Sequence, residues 1–384
     1  MTTRPSEVQI CAEPISAYVH IPFCHHHCGY CNFTLIAGRN ELIESYLDAL
    51  ERDLQSLVVP RRIKTLFIGG GTPSLLNCDH TERLLRLLQT WFIAADLVEY
   101  SMEVNPNDVS EEKISLWRSF GINRISVGGQ SFQASKLQRL ERTHSPQQLI
   151  DAVSLLGKAK LRVAVDLIFG VPEETLAAWQ VDLATAKSLP INHLSTYGLT
   201  FEKGSRFWGL REKGLVVGVD EEVELAMYQE ARRSLLASGY DHYEVSNFAK
   251  AGERCLHNET YWNGAGYWAF GAGAAYYVDC KRGVKHRSTT TYIRRLTKGE
   301  SPIAEEESLS PEQVLRERFV FGMRKLEGVR WSDLDFSQQP QLEESLRASV
   351  DKHVAAGWME RQADRVRLTE AGLWISDSLW RDYL

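Results

Sequence analysis

The sequence has no long apolar run, no N-terminal signal pattern and no excess of positive charge. No stretch reaches the ~18 apolar residues that a membrane-spanning helix requires, and residues 1–8 lack a charged segment followed by an apolar one. Lys and Arg number 44 against 50 Asp and Glu, for a formal net charge of −6. The sequence therefore predicts a cytoplasmic globular protein and argues against nucleic acid as its main partner.

Cysteines are also few, and three of the seven stand in one short loop. Cys24, Cys28 and Cys31 form a C-x3-C-x2-C pattern, and the other four are not spaced as a second array. Three thiolates indicate a [4Fe-4S] cluster with one iron open to an exogenous ligand, because a structural zinc ion takes four protein ligands. A zinc site completed by a histidine of this loop is the alternative, and the candidates are His25, His26 and His27.

Apolar runs suited to buried strands alternate with amphipathic helical stretches, which is the pattern of parallel α/β folds. The predicted strands are 15–20, 63–68, 98–104, 122–127, 162–168 and 193–197, and the predicted helices are 41–57, 79–92, 110–118, 146–158 and 174–188. A closed barrel has eight such units and ~250 residues. The predicted fold class is therefore α/β with a partial (βα)6 TIM-like barrel.

Polar or glycine-rich residues follow each predicted strand, where barrel enzymes place their chemistry. The second strand leads into the glycine triplet 69–71, and Glu103, Gln130 and Asp166 lie in or beside later strands. Carboxylates and amides can bond ribose hydroxyls, and Arg142 can pair with a ligand carboxylate. The structural alternatives are a tight turn for the glycines, paired carboxylates, and a solvated surface arginine.

Several motifs recur in order with the spacing of a known family. They are Tyr18-Val-His-Ile-Pro-Phe-Cys, Phe67-Ile-Gly-Gly-Gly-Thr-Pro, Glu103-Val-Asn-Pro, Arg124-Ile-Ser-Val-Gly-Gly-Gln-Ser-Phe, Arg142-Thr-His and Asp166-Leu-Ile-Phe-Gly. The chain resembles the oxygen-independent coproporphyrinogen III oxidase-like group of the radical S-adenosylmethionine (SAM) superfamily. The resemblance implies that SAM occupies the open iron, and that it is contacted by Tyr18, Tyr30, Gly70, Gly71, Thr72, Glu103, Gln130, Arg142, Asp166, Gly198 and Ala274.

Two departures distinguish the chain from the oxidase within that group. The oxidase carries a fourth cysteine two residues after the third, where Phe33 stands here, and it has a long N-terminal extension. The chain is similar in this respect to the haem chaperones of the HemW type. The segment His257-Asn-Glu-Thr-Tyr261-Trp262 matches their H-N-x-x-Y-W pattern, which implies that His257, Tyr261 and Trp262 bind haem. The alternative is that this segment is core that caps the mouth of the barrel, with His257 a hydrogen-bonded structural residue.

Four segments are predicted: an N-terminal lead over 1–14, the barrel over 15–200, a barrel extension over 201–300 and an accessory domain over 301–384. In the last, two helices and a short hairpin resemble a winged helix. Residues 305–384 hold 11 Lys or Arg against 16 Asp or Glu, which is a poor match for a protein that reads a DNA groove. The resemblance instead implies an α+β domain that covers the barrel site or meets a protein partner.

The function predicted is a haem chaperone with a [4Fe-4S] cluster and SAM that delivers haem, its cargo, to respiratory haem proteins. It would act in the cytoplasm, including the surface of the inner membrane, and form a homodimer. The alternative is a catalytically active radical SAM enzyme, an oxidase or a methyltransferase, that produces a 5′-deoxyadenosyl radical. A third interpretation is a zinc-stabilised regulator whose C-terminal domain binds DNA.

Overall fold

The chain is built around one large mixed sheet with helices packed on its outer face. The computed structural model describes residues 13–93 and 96–384, so Cys11 and most of the predicted lead over 1–14 lie outside the described residues. All six predicted strands are confirmed and run parallel. They are β1 (Ser16–Ile21), β2 (Thr65–Gly70), β3 (Glu99–Val104), β4 (Arg124–Gln130), β5 (Arg162–Phe169) and β6 (His193–Gly198).

Three further strands make the sheet larger than the predicted six. The hairpin of β7 (Asp241–Glu244) and β8 (Asn247–Ala249) adds to β6 in antiparallel pairing, and β9 (Trp268–Phe270) pairs in parallel with β1. The strand order is β7-β8-β6-β5-β4-β3-β2-β1-β9. Strands of three or four residues carry too little periodicity to be recognised in a sequence. The strand that leads into the cysteine loop is consequently flanked on both sides.

The helices between the strands bury apolar residues against the sheet. Polar side chains cap several of them; the oxygen of Asn77, for example, accepts the backbone N–H of His80, and Ser145 forms a capping box with Gln148. The first eight helices are α1 (Ile43–Leu54), α2 (Cys78–Trp91), α3 (Glu111–Ser119), α4 (Ala134–Arg139), α5 (Pro146–Lys158), α6 (Leu176–Ser188), α7 (Arg206–Glu212) and α8 (Glu221–Leu236). Together they place the carboxyl ends of β1 to β6 at one open rim.

The chain after β8 returns to the sheet before it leaves for the C-terminal region. Helix α9 (Leu256–Trp262) precedes β9, and a three-stranded antiparallel sheet follows, formed by β10 (Ala275–Val278), β11 (Lys281–Lys285) and β12 (Ile303–Ser308). Helix α10 (Thr289–Thr297) connects the last two strands and packs on α1. The acidic residues 305–307 therefore lie in a strand of this small sheet.

The C-terminal region has a hydrophobic core of its own. Phe319, Leu346 and Val350 are fully buried there. Its elements are α11 (Pro311–Gly322), β13 (Val329–Arg330), α12 (Pro340–Ala355), β14 (Met359–Gln362), β15 (Arg365–Leu368), α13 (Glu370–Trp374) and α14 (Ser376–Leu379), with the three strands in the order β13-β15-β14. Two helices followed by a β14–β15 hairpin confirm the winged-helix-like prediction. Among the helices of the described residues, none is both long and apolar enough to cross a membrane.

A buried ion pair fastens β9 and the small sheet to α1. Both Asp53 carboxylate oxygens accept bonds from Lys285 Nζ, at 2.6 and 2.5 Å. The same carboxylate accepts the Tyr292 hydroxyl at 2.7 Å and the backbone N–H of Gly271 at 3.1 Å. Because Gly271 directly follows β9, this one side chain fixes where the outermost parallel strand ends.

Candidate functional site

The three cysteines of the loop stand at the carboxyl end of β1. Residues Phe23–Cys24 form a short parallel bridge with Ile36–Ala37, which holds the two ends of the loop together. Inside the loop, the backbone N–H of Cys31 donates to the carbonyl of Cys28 at 3.1 Å. Cys24 is buried, whereas Cys28 and Cys31 are partly exposed. The sequence thus folds this loop as a compact unit at the rim of the barrel.

A cavity of about 610 Å³ opens at this rim, and most of the predicted site residues line it. Those that line it are Cys24, Cys28, Cys31, Tyr30, Gly70, Gly71, Thr72, Glu103, Gln130, Arg142, Asp166 and Gly198. Tyr18 and Ala274, which were predicted to contact SAM, do not line it. The side chain of Tyr18 instead bonds Nδ1 of the buried His20, whose Nε2 bonds the carbonyl of Thr34.

The thiols have partners suited to thiolates. Cys24 Sγ lies 3.1 Å from the Thr72 hydroxyl, and the Arg142 guanidinium donates to Cys28 Sγ at 3.7 Å and to the Gly128 carbonyl at 2.6 Å. Burial raises the pKa of Cys24 to about 11, against the bond from Thr72, so a bound metal would have to displace this proton. The positive charge of Arg142 beside the loop favours the thiolate form and so the replacement of this proton by a metal.

The three thiols at the rim fit the ligand set of a cluster. Within 13–93 and 96–384, no three His, Cys, Asp or Glu side chains are gathered as ligands of one metal ion. A cubane cluster binds its cysteines on three different irons, so its thiolates need not meet at one point. Cys24, Cys28 and Cys31 line one cavity, as the ligands of a shared cluster must.

The glycine triplet is required by the packing of the protein itself. Gly70 has a φ of +118°, and a Cβ there would lie 2.7 Å from the His20 ring. A Cβ on Gly71 would lie 2.8 Å from the Phe23 carbonyl oxygen. The absent side chains thus allow β2 to pass directly under the cysteine loop, which brings Thr72 to Cys24.

Glu103 is the most perturbed carboxyl group of the cavity. Its Oε2 accepts the backbone N–H of Gly70 at 2.8 Å. Burial, with a smaller contribution from the charge of Asp166, raises the pKa of Glu103 to about 8. A carboxyl group held on this cavity wall can bond hydroxyl or amino groups of a ligand, and a positively charged ligand would favour its ionised form.

We expect Glu103 to give the protein a measurable pH dependence of stability. The pKa of Glu103 is higher in the folded protein than in the unfolded chain, so its protonated side chain stabilises the fold fully below about pH 4.5. This stabilisation is lost as the pH rises through about 8. A difference of one pKa unit between the two states corresponds to about 1.4 kcal/mol. The free energy of unfolding, measured by urea denaturation, should therefore fall less with rising pH in Glu103→Gln than in the parent protein. Equal slopes of this free energy against pH in the two proteins would contradict this prediction.

Gln130 and Asp166 reach the cavity from the two neighbouring strands β4 and β5. The pairing of these strands shifts register between Val127 and Gln130, and Gln130 adopts a φ of 64°. This bulge redirects the end of β4 toward the cavity. Burial raises the pKa of Asp166, against the bonds from Ser195 and Ser126. Sequence reasoning missed Ser126, which lies 3.5 Å from Asp166, although its position inside β4 could have indicated it.

The segment predicted to bind haem lies at the opposite end of the sheet. Helix α9 packs against the first residues of the strands, where the Glu99 carboxylate accepts the backbone N–H groups of Leu256 and His257. His257 Nδ1 bonds the Thr65 hydroxyl at 2.9 Å, and its Nε2 bonds the Tyr261 hydroxyl at 2.8 Å. Burial lowers the pKa of His257 to about 3, so the imidazole is neutral.

Trp262 ends α9 and faces the C-terminal region rather than the cofactor cavity. The Arg324 guanidinium lies 4.6 Å from the centre of its ring. None of His257, Tyr261 and Trp262 lines the cavity at the rim. This geometry favours a structural role for the segment, with His257 fully hydrogen-bonded, but at the base of the barrel and not at the mouth where that alternative placed it. Direct binding of haem by His257 stays a prediction.

Comparisons with known proteins agree with the fold. The family model described as the radical SAM superfamily matches residues 18–184, and the one described as the HemN C-terminal domain matches residues 309–375. The chain is 32% identical to the heme chaperone HemW of Bacillus subtilis, with 96% of this chain and 99% of that protein covered. It is 34% identical to the Escherichia coli protein of the same name, with 97% and 98% covered. This chain belongs to the HemW family.

The HemW fold of this chain has a close structural counterpart among solved structures. Coproporphyrinogen III oxidase (HemN) from Escherichia coli, described as a radical SAM enzyme, aligns with a TM-score of 0.84 over 97% of this chain and 90% of its own. The two sequences are 21% identical, so the likeness concerns the fold. It extends over the barrel and the C-terminal region, and it confirms the predicted α/β fold class with a C-terminal accessory domain.

Proposed function

We propose that this chain is a haem chaperone that carries a [4Fe-4S] cluster and SAM and delivers haem to respiratory haem proteins. Its full-length similarity to proteins named heme chaperone HemW carries the proposal. The cavity at the barrel rim supports it, because three cysteines, Arg142 and the carboxyl groups of Glu103 and Asp166 line one space. Delivery takes place from the cytoplasm at the surface of the inner membrane, and the working form is a homodimer.

Cys24, Cys28 and Cys31 hold the cluster in this proposal. When bound, the cluster and SAM together supply one-electron chemistry at the barrel rim. Cys24 bonds Thr72, and Cys28 bonds the partly buried Arg142, so two of the three ligands are oriented before the metal arrives. A preoriented ligand set lowers the entropy lost on binding.

SAM occupies the deeper part of the cavity in this proposal. The Arg142 guanidinium pairs with its carboxylate, and Glu103, Gln130 and Asp166 bond its amino and hydroxyl groups. The sulfonium is positively charged, which suits a wall that carries two carboxyl groups. Tyr30, residues 70–72 and Gly198 line the same cavity and would contact the ligand as well. Tyr18 and Ala274 act on this site from outside the cavity.

An anaerobic haem titration of the cluster-reconstituted protein tests this function. We expect saturable binding near one haem per chain, seen as a Soret band that stops growing at the equivalence point. The same titration of His257→Ala shows whether the segment at the base of the barrel takes part. Weak binding that does not saturate in the parent protein would contradict the proposal.

The completeness of the cofactor cavity favours one second candidate, an active radical SAM enzyme. All three cysteines and most of the predicted SAM contacts line it together. Release of 5′-deoxyadenosine from SAM, under a strong reductant and in the presence of a porphyrin substrate, would be the signature of that activity. For a chaperone, we expect the porphyrin to leave the rate of 5′-deoxyadenosine release unchanged from that of protein, SAM and reductant without it.

A further inference from the structure

The connection from β6 to α8 covers residues 199–220 and contains the short helix α7. We call this connection the strap. Connections between a strand and a helix usually have about 2–6 residues, and longer ones at a barrel rim are commonly functional. Leu199, Thr200 and Glu202 of the strap line the cofactor cavity, and Arg206 lines a second cavity of about 480 Å³. The strap therefore runs along the rim that carries the cysteine loop.

The strap contacts the cysteine loop between its second and third cysteines. The backbone N–H of Phe207 donates to the Gly29 carbonyl at 2.8 Å. The ring of Phe207 lies against the same residue, because a Cβ on Gly29 would be 2.1 Å from its Cε1 atom. Gly29 does not adopt a positive φ, so lack of space and not backbone conformation requires glycine here. Phe207 thus packs directly on the backbone between Cys28 and Cys31.

Two polar contacts add to this packing. The Lys203 carbonyl accepts the side-chain amide of Asn32, which follows the third cysteine, at 3.1 Å. The Arg206 guanidinium forms an ion pair with Glu141, the residue before Arg142. The strap is therefore tied both to the end of the cysteine loop and to the segment whose arginine donates to Cys28 Sγ.

An apolar cluster joins the strap to the wall of the cofactor cavity. The cluster is separate from the large core of the sheet, and its buried members are Leu140, Ile168, Val171, Leu199 and Phe207. Tyr30 of the cysteine loop packs against this cluster and also lines the cavity. A displacement of Phe207 would therefore reach the loop and the cavity wall without passing through the main core.

We infer that the strap is a positioning element for the cluster ligands and that Phe207 is its positioning residue. The inference rests on the part of the proposed function that assigns a cluster to the three cysteines. Phe207 acts through Gly29 and Tyr30. These two residues stand between Cys28 and Cys31, so the contact keeps both partly exposed thiols in place before a cluster is bound. Ligands held in this way lose less entropy on binding.

The first test uses the full-length protein before reconstitution, so it needs no bound cofactor. Alkylation by iodoacetamide is followed for each cysteine by peptide mass spectrometry. Phe207→Ala should raise the alkylation rates of Cys28 and Cys31 about tenfold or more, because the loop then opens locally. The rate for Cys78, a free thiol at the start of α2, should stay unchanged in the same sample.

Three further variants separate positioning from a general loss of stability. Phe336→Ala removes a ring of similar burial from the C-terminal core, 6% exposed against 5% for Phe207. Val217→Ser changes an exposed residue of the strap itself. Both controls should leave the alkylation rates of the loop cysteines at their parent values. Phe207→Leu keeps part of the packing, so its rates should fall between those of the parent protein and Phe207→Ala.

Gly29→Ala tests the same contact from the side of the loop. Its added methyl group would overlap the Phe207 ring, so the alkylation rates of the loop cysteines should rise in this variant as well. In the double variant Gly29→Ala with Phe207→Ala, the methyl group no longer meets the ring. The combined change in the logarithm of the rates should therefore be smaller than the sum of the two single changes. Additive changes would contradict a direct contact between the two residues.

The reconstituted proteins distinguish the strap from the cluster assignment. Iron should pass to an added chelator about fivefold faster from Phe207→Ala than from the parent protein, because the loop opens more often. If the parent protein assembles no cluster, the cluster assignment fails and the inference fails with it. If the parent assembles a cluster while Phe207→Ala and Gly29→Ala match it in alkylation and iron release, the role of the strap is overturned and the cluster assignment stands.

Discussion

Replacing Cys24 with alanine is expected to remove the iron–sulfur cluster completely. Iron and acid-labile sulfide should fall to background, and the broad visible absorbance of thiolate bound to iron should disappear. Two cysteines remain in the loop of Cys24→Ala, and a cubane cluster that is held by three cysteines loses one of its ligated irons. The measurement is iron and sulfide analysis, together with the absorption spectrum, after anaerobic reconstitution.

Cys78→Ala is the matched control for this substitution. Cys78 is a free thiol at the start of α2, outside the loop and outside the cavity lining. The Cys78→Ala protein should retain its full iron and sulfide content. An unchanged iron and sulfide content in Cys24→Ala would contradict the cluster assignment. Zinc without sulfide in the parent protein would favour the zinc interpretation.

Replacing Asp53 with alanine is expected to cause the largest loss of stability. The substitution leaves the buried Lys285 ammonium without a partner and also frees the hydroxyl of Tyr292. Removal of one partner of a buried ion pair costs about 3–5 kcal/mol. Urea denaturation should therefore show a free energy of unfolding lower by about that amount, with the end of β9 as the first region to lose its backbone protection.

Asp48→Ala, one turn earlier on α1, provides the comparison. Its carboxylate is 63% exposed and pairs with Arg83 at the surface, so its loss should change stability by no more than about 0.5 kcal/mol. The double variant Asp53→Leu with Lys285→Met should recover much of the loss, because apolar residues can replace a buried pair. A single-variant loss below about 1 kcal/mol would contradict the structural role given to Asp53.

The strands of the barrel were predictable because apolar residues recur along each of them, between amphipathic helical stretches. Most residues of β1 to β6 are buried, so their composition indicates buried strands. By contrast, β9 has three residues, and it is defined by its pairing with β1 and by the bond from Gly271 to Asp53, 218 positions earlier. Contacts between residues so distant in the chain leave no local pattern.

The cluster loop and the cavity were predictable to different degrees. The cysteine spacing predicted the loop, and the polar residues at the strand ends predicted Glu103, Gln130 and Asp166 in the lining. The partners of the loop histidines could not be predicted, because three adjacent histidines look alike in a sequence. In the structure, His25 bonds Asp108 and His27 bonds the Cys31 carbonyl. The same holds for His257, whose hydrogen-bond partners at Thr65 and Tyr261 were needed to define its environment.

The pairing of β1 with β9 bears on the order of events during synthesis. The cysteines emerge from the ribosome early, but β1 gains its second neighbouring strand only after residue 270 has been translated. Pairing between distant segments forms late in folding, since a long loop must close first. The nascent chain therefore presents three thiols in a loop that follows a strand with one edge still unpaired. We expect stable insertion of the cluster to follow the release of the second half of the barrel.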